Sequence, residues 1–216
     1  MQFLCLFVDV PICSFRPNWS REYQDSYPFP PPSTVYGMLL SLVGVDWPDK
    51  NRFAGVKMAL ATQGEVEVSR VFHKFRRVPQ DKKSKADPLT SRRPDYQDLL
   101  TGLKLWVWIA DGSSQSSLVE AVKSTLAKPF SASHTRHGGL CLGESSHLVN
   151  EIAVRSAVGT GRFLCRDEKG YYSLPVWVDH PRCGEGKSRM ERFSILDPGK
   201  LSEPIADDLR WILMHP

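Results

Sequence analysis

Six prolines fall between positions 11 and 32 (Pro11, Pro17, Pro28, Pro30, Pro31 and Pro32), with aromatic residues interleaved among them. Each proline lacks a backbone donor and fixes φ, so a stretch this dense can be neither helix nor central strand. It must be an irregular connection between two regular elements. Upstream, Gln2–Val10 alternates around aromatic and β-branched residues and reads as a buried strand. Downstream, Ser33 or Thr34 can cap a helix running from Val35 to Val43. Gly37 is a poor helix former, so its lack of a side chain points to something packed close to the first turn.

The remaining elements follow from periodicity. Val56–Thr62 and Glu65–Phe75 read as strands joined by a hairpin at Gln63-Gly64. Leu103–Ile109 is the clearest strand. Ser117-Leu118-Val119-Glu120 is a capping box that opens a helix to about Leu126, with Val119, Val122 and Leu126 as its apolar stripe. Leu148–Val158, Tyr171–Val178 and Arg189–Leu196 read as further strands. The order strand, helix, strand pair, strand, helix, strand fits an α+β fold of the ferredoxin-like type, a topology shared with the RNA-binding RRM. The chain has 216 residues, 41% of them hydrophobic, enough for one sizeable core, and no linker divides it.

Charge is concentrated rather than spread. Between Arg70 and Arg93 lie nine cations, namely Arg70, Lys74, Arg76, Arg77, Lys82, Lys83, Lys85, Arg92 and Arg93. Asp81 and Asp87 are the acids there, so nine cations against two acids leave +7 in a chain whose net charge is only +4. A local field of that kind attracts a polyanion and releases its counterions. Phe72, Phe75 and Tyr96 lie at the base of the segment, where aromatic rings beside cations can stack on unpaired bases. The competing reading is a solvated basic loop.

Other classes find little support. The apolar runs are far shorter than a bilayer span, and Met1–Val10 has no basic region or cleavage site. Five scattered cysteines without a paired spacing point to reduced thiols in a cytoplasmic protein. His134, His137 and Cys141 are the only candidate zinc cluster; without a second cysteine pair they read as a polar loop. No paired-carboxylate metal motif, P-loop or nucleophile elbow is present, and no cofactor is expected.

Three motifs carry a more specific resemblance. Ser14-Phe15-Arg16, Tyr23 and the run Ser26-Tyr27-Pro28-Phe29-Pro30-Pro31-Pro32-Ser33-Thr34-Val35-Tyr36-Gly37-Met38-Leu39 resemble the N-terminal signature of the CRISPR-associated protein five family. Cys141-Leu142-Gly143-Glu144-Ser145-Ser146-His147-Leu148 is similar to that family's Leu-Gly-x-Ser element. Arg92-Arg93-Pro94-Asp95-Tyr96 resembles the end of its thumb insertion. The resemblance implies a RAMP subunit that caps one end of Cascade, the type I CRISPR effector used in antiviral defence. It would hold the repeat-derived 5′ handle of the guide RNA. It would also contact the backbone subunit and the large PAM-reading subunit, close to the PAM end of the target DNA. On this reading residues 1–216 form one RAMP-type domain, 70–102 are the thumb, and about 148–216 are an additional β-rich part. A type I-B-like system is the expected subtype.

The RNA-binding residues then expected are Arg16, Ser33, Thr34, Tyr36, Gly37, Gly143, Ser145 and His147. The basic segment adds Arg70, Lys74, Arg76, Arg77, Lys82, Lys83, Arg92 and Arg93. Ser33 and Thr34 stand where a helix N-terminus offers donors to a phosphate, and Gly37 lets a base or backbone approach. One branch of the family, in type I-C systems, cleaves precursor guide RNA without metal. His73-Lys74 with Tyr23 or Tyr36 can supply such groups here. Non-catalytic handle binding is the expected function. Metal-independent cleavage, a general RNA-binding module outside CRISPR, and a scaffold whose basic loop binds an acidic protein remain the alternatives.

Overall fold

A computed structural model describes residues 3–20, 23–76, 92–128, 138–179, 188–205 and 208–216. In chain order the elements are β1 (Phe3–Cys13), β2 (Tyr23–Gln24), α1 (Pro32–Leu42), a 3-10 turn (Trp47–Phe53), β3 (Val56–Gln63), β4 (Glu67–Arg76) and β5 (Arg92–Ala110). Next come α2 (Leu118–Ala127), β6 (Glu151–Val154), β7 (Thr160–Arg166), β8 (Tyr172–Val178), β9 (Ser188–Ile195), β10 (Gly199–Lys200) and β11 (Ile212–Met214). Among the described residues the result is a curled, mostly antiparallel sheet with two α-helices, its strands ordered β6-β1-β5-β3-β7-β9-β8. β7 belongs to both halves: Gly161, Arg162 and Phe163 pair with β3, and Leu164, Cys165 and Arg166 pair with β9.

The central strands are buried on both faces. Leu4, Leu6, Val8 and Val10 of β1 join Leu103, Leu105, Val107 and Ile109 of β5 against Val35 and Leu39 of α1 and Leu118 and Val122 of α2. Each such buried aliphatic side chain contributes roughly 1.5–3 kcal/mol. The alternate positions Phe7, Trp106 and Trp108 meet Phe163, Leu201 and Trp211 on the other face.

Several expectations change. β1 runs through Pro11 to Cys13, because Pro11 lies past the last residue that β6 pairs and so is not required to donate there. It falls between the Val10–Leu103 and Ile12–Thr101 pairs, where β5 itself turns at Gly102 (φ 72°). The hairpin at Gln63-Gly64 does not form. β3 pairs with Leu105–Ala110, and β4 pairs with Arg92–Thr101, so β3 and β4 lie end to end along one β5 strand. Gly64 (φ 73°) makes the break between them, not a reversal. β5 is therefore much longer than the apolar run Leu103–Ile109, because its first half forms a polar ribbon with β4. β7 was not anticipated. Arg77, Lys82, Lys83 and Lys85 lie outside the described residues, as do His134, His137 and Cys183.

α2 begins as expected, with Ser117 Oγ accepting from Glu120 N at 3.0 Å. Asp111 adds to the cap, accepting from the N–H of Leu118 and Val119. α1 begins differently. Pro31 is its N-cap and Pro32 its first residue, so no side-chain cap forms, and Ser33 and Thr34 fall inside the first turn. No helix is long and apolar enough to cross a membrane among the described residues. Burial pushes the Cys5 and Cys13 thiols up to about 12, which leaves them inert.

Candidate nucleic-acid interface

The end of β1, the start of α1 and the turn at 141–148 converge. Phe15 N donates to Ser26 Oγ and Tyr27 N donates to Phe15 O, both at 2.9 Å, which pins the Ser14–Arg16 segment to the proline-rich connection. His147 pins it to the turn. Its Nδ1 accepts from Ser14 N and from Glu144 N, each at 3.2 Å. Gly143 makes the contact possible. Its φ is 99°, and a Cβ there would lie 2.6 Å from Ser14 O.

Two neighbouring clefts open at this junction, sharing Thr34, Gly143 and Val178. One, of about 570 Å³, runs along Ser33, Gly37 and Ser41 of α1 opposite Trp177 of β8. The other, of about 450 Å³, lies among Ser14, Arg16, Tyr27, Glu144 and Met190. Two hydroxyls beside it, Ser14 Oγ and Tyr27 Oη, are buried and have no hydrogen-bond partner among the described residues. Burial also pushes the Tyr27 phenol upward, so it stays a neutral donor. A Cβ at Gly37 would meet nothing within 4 Å, so the close packing expected at that glycine is absent and the space belongs to the cleft.

Lys50 braces the larger cleft. Its Nζ lies 2.7 Å from Asp179 Oδ1 and 4.6 Å from the centre of the Trp177 ring, and it also donates to Val178 O. Trp177 Nε1 donates to the same carboxylate at 2.8 Å. Nothing in the sequence marked Lys50, Asp179 or Trp177, because the contact joins a 3-10 turn to a distant strand.

The expected site residues divide clearly. Arg16, Ser33, Thr34, Gly37 and Gly143 come together at the clefts, and Ser145 is exposed on the adjoining turn. Tyr36 is buried and its hydroxyl donates to Lys50 O at 2.9 Å. His147 is only 7% exposed and serves as a strut. The helix terminus offers fewer donors than expected, since Pro32 has no N–H and Thr34 N donates to Pro31 O. Arg70 is exposed but forked onto Asp98, with bonds of 2.7 and 3.1 Å, so its charge is already matched. Lys74, Arg76, Arg92 and Arg93 lie on the paired backbone of the ribbon. Gln97 Nε2 donates to Glu144 Oε1 at 2.9 Å and ties the ribbon's base to the cleft turn.

The strut has a pH signature. Burial lowers the His147 pKa, so the unfolded chain takes up this proton more readily than the folded one. The contribution is complete above about pH 6.5 and is lost as pH falls below it. His147→Ala is expected to leave the Ser14 and Glu144 N–H groups unpaired at a cost of about 1–3 kcal/mol. It should also remove that part of the acid dependence. Urea titrations across a pH series measure both effects, and parallel pH profiles for the two proteins would count against the strut.

Residues 3–110 match the family described as CRISPR-associated protein (Cas_Cas5). A CRISPR-associated protein Cas5 of Myxococcus xanthus (strain DK1622) is 34% identical over 210 residues, covering 94% of this chain and 92% of its own. A chain of a CRISPR RNA-guided surveillance complex shares the fold with a TM-score of 0.67 at 15% identity, covering 93% of this chain and 91% of that one. The motif segments that build the clefts thus sit in a chain similar to a Cas5 relative along nearly its whole length, and the protein belongs to the Cas5 family of CRISPR-associated proteins.

Proposed function

We propose that this protein is a non-catalytic guide-RNA subunit of a Cascade-type CRISPR surveillance complex, holding the single-stranded 5′ handle in the twin clefts. The observation that carries this reading is the convergence of Arg16, Thr34 and Gly143 from three separate motif segments on one concave surface. The unpartnered hydroxyls of Ser14 and Tyr27 support it, since buried polar groups in native proteins nearly always have partners and a nucleotide can supply them. Unpaired RNA is read through splayed bases, backbone and 2′-hydroxyls, which suits a cleft better than a flat surface. In the complex the chain would contact the backbone subunit and the large subunit near the PAM end of the target, while guide pairing reads the sequence.

The same reading assigns the architecture. The succession β1-α1-β3-β5-α2-β6, with sheet order β6-β1-β5-β3, is a ferredoxin-like unit. The β4–β5 ribbon is its thumb, and β7 to β11 are the additional part. Against cleavage stands the Tyr36 hydroxyl, which is committed to Lys50 O.

Arg16→Ala and Thr34→Ala are each expected to weaken binding of a handle-bearing RNA about tenfold, with little change on a handle-less RNA of equal length. Equal losses on both RNAs would refute handle recognition. The same incubations in EDTA should return intact repeat RNA, and a specific cut abolished by His73→Ala would reverse the non-catalytic assignment.

A further inference from the structure

Three aromatic rings lie abreast on the ribbon, outside both cores. Tyr23 of β2 is opposite Tyr96 of β5, which is opposite Phe72 of β4. Tyr23 and Tyr96 stack at 8° with centroids 5.6 Å apart, and Phe72 lies 5.3 Å from Tyr96 at 56°. All three face solvent, at 58%, 38% and 54% exposure, and exposed Val68 extends the row toward the sheet. Contiguous aromatic surface of this kind marks a binding face.

Charge along the ribbon identifies the occupant. On the sheet side of the rings, Arg70 and Asp98 match each other in a fork. Toward the tip, the pairs of the same parity are Lys74 with Pro94 and Arg76 with Arg92. Those four positions hold three cations and no carboxylate. A protein surface docking here would have to bring its own acids to match them. A single RNA strand brings both planar rings and phosphates.

We infer that Tyr23, Tyr96 and Phe72 form a platform on which an unpaired RNA base stacks, with the following phosphates running toward Lys74, Arg76 and Arg92. The inference rests on the reading of the chain as a guide-RNA subunit and adds to it a second, sequence-tolerant contact away from the clefts. It is sequence-tolerant because every base has a π-face to stack.

The test uses the full chain and an oligouridine RNA, with and without one 2-aminopurine, titrated by anisotropy across a KCl series. The double variant Tyr96→Leu, Phe72→Leu is expected to bind about tenfold more weakly, with an unchanged slope against salt, because the lost contact is uncharged. Tyr96→Phe should bind like the wild type, and 2-aminopurine emission should be quenched by the wild type and not by the double variant. Since the rings are exposed, the thermal midpoint should hold. Tyr23→Leu provides a second variant if the double one fails to fold. Wild-type affinity in both leucine variants overturns the platform. Wild-type RNA affinity with lost binding to the neighbouring Cascade subunits overturns it too, in favour of a protein contact. If the wild type binds no RNA at all, the functional reading itself falls.

Discussion

Gly143→Val is expected to destabilise this protein by about 2–6 kcal/mol. At φ 99° the backbone lies where a β-branched residue does not go, and strain of that kind costs about 1–3 kcal/mol. The new Cβ would also stand 2.6 Å from Ser14 O, a backbone atom of the segment that leads out of β1. Overpacking against an immobile neighbour adds about 1–3 kcal/mol more. Together these reach the lower end of the whole stability of an ordinary domain, about 5–15 kcal/mol. Chemical denaturation should show a midpoint shifted far to lower urea, with Gly143→Ala intermediate. Handle binding should fall with it, because the displaced turn carries Glu144 and walls both clefts. A Gly143→Ala protein as stable as the wild type would show that the turn yields, and would remove the basis for reading Gly143 as obligatory.

The second large effect lies on the ribbon. Replacing Arg76, Arg77, Arg92 and Arg93 together with Ala is expected to lower the slope of log affinity against log salt by about 3, at roughly 0.7 per single-strand phosphate released. Cross-strand register gives a reason beyond the count. Arg76 stands opposite Arg92, and like charges placed opposite each other on a ribbon destabilise it. An anion between them reverses that sign, so the ribbon's charge is best satisfied with a polyanion bound. Arg70→Ala is the internal control. Its guanidinium is already forked onto Asp98, so its removal should change the slope much less. Filter-binding titrations at several salt concentrations measure this directly. An unchanged slope in the fourfold variant would remove the ribbon from the RNA interface.

The residues that were legible in the sequence share a physical property: their role is fixed by neighbours close along the chain. The proline run forced an irregular entry to α1, the capping box at Ser117 set the start of α2, and alternation gave β1 and the apolar half of β5. Two of the three motifs, the N-terminal signature and the 141–148 element, marked the segments that meet at the clefts, and the third fell on the ribbon. What stayed hidden depends on distant partners. Nothing local says that Gln63-Gly64 breaks a strand instead of reversing it, because the pairing of β4 is decided by β5. The strut role of His147 needs Ser14, and the burial of Tyr36 needs the Lys50 carbonyl. Tyr23 and Tyr96 become a stacked pair only because a two-residue strand is laid parallel to β5.

The covering of the tryptophan face has a bearing on how the chain is made. Phe7, Trp106 and Trp108 lie on early elements, yet Phe163, Leu201 and Trp211 close that face, and β11 pairs with β3 at Ile212–Met214. A chain emerging from the ribosome can assemble β1, β3 and β5 against the helices well before those late residues appear. Until then one side of the sheet is bare and apolar, the kind of surface that draws chaperones or other nascent chains. The step that closes the sheet's second face is therefore a late one, set by the arrival of Trp211 and not by completion of the first sheet.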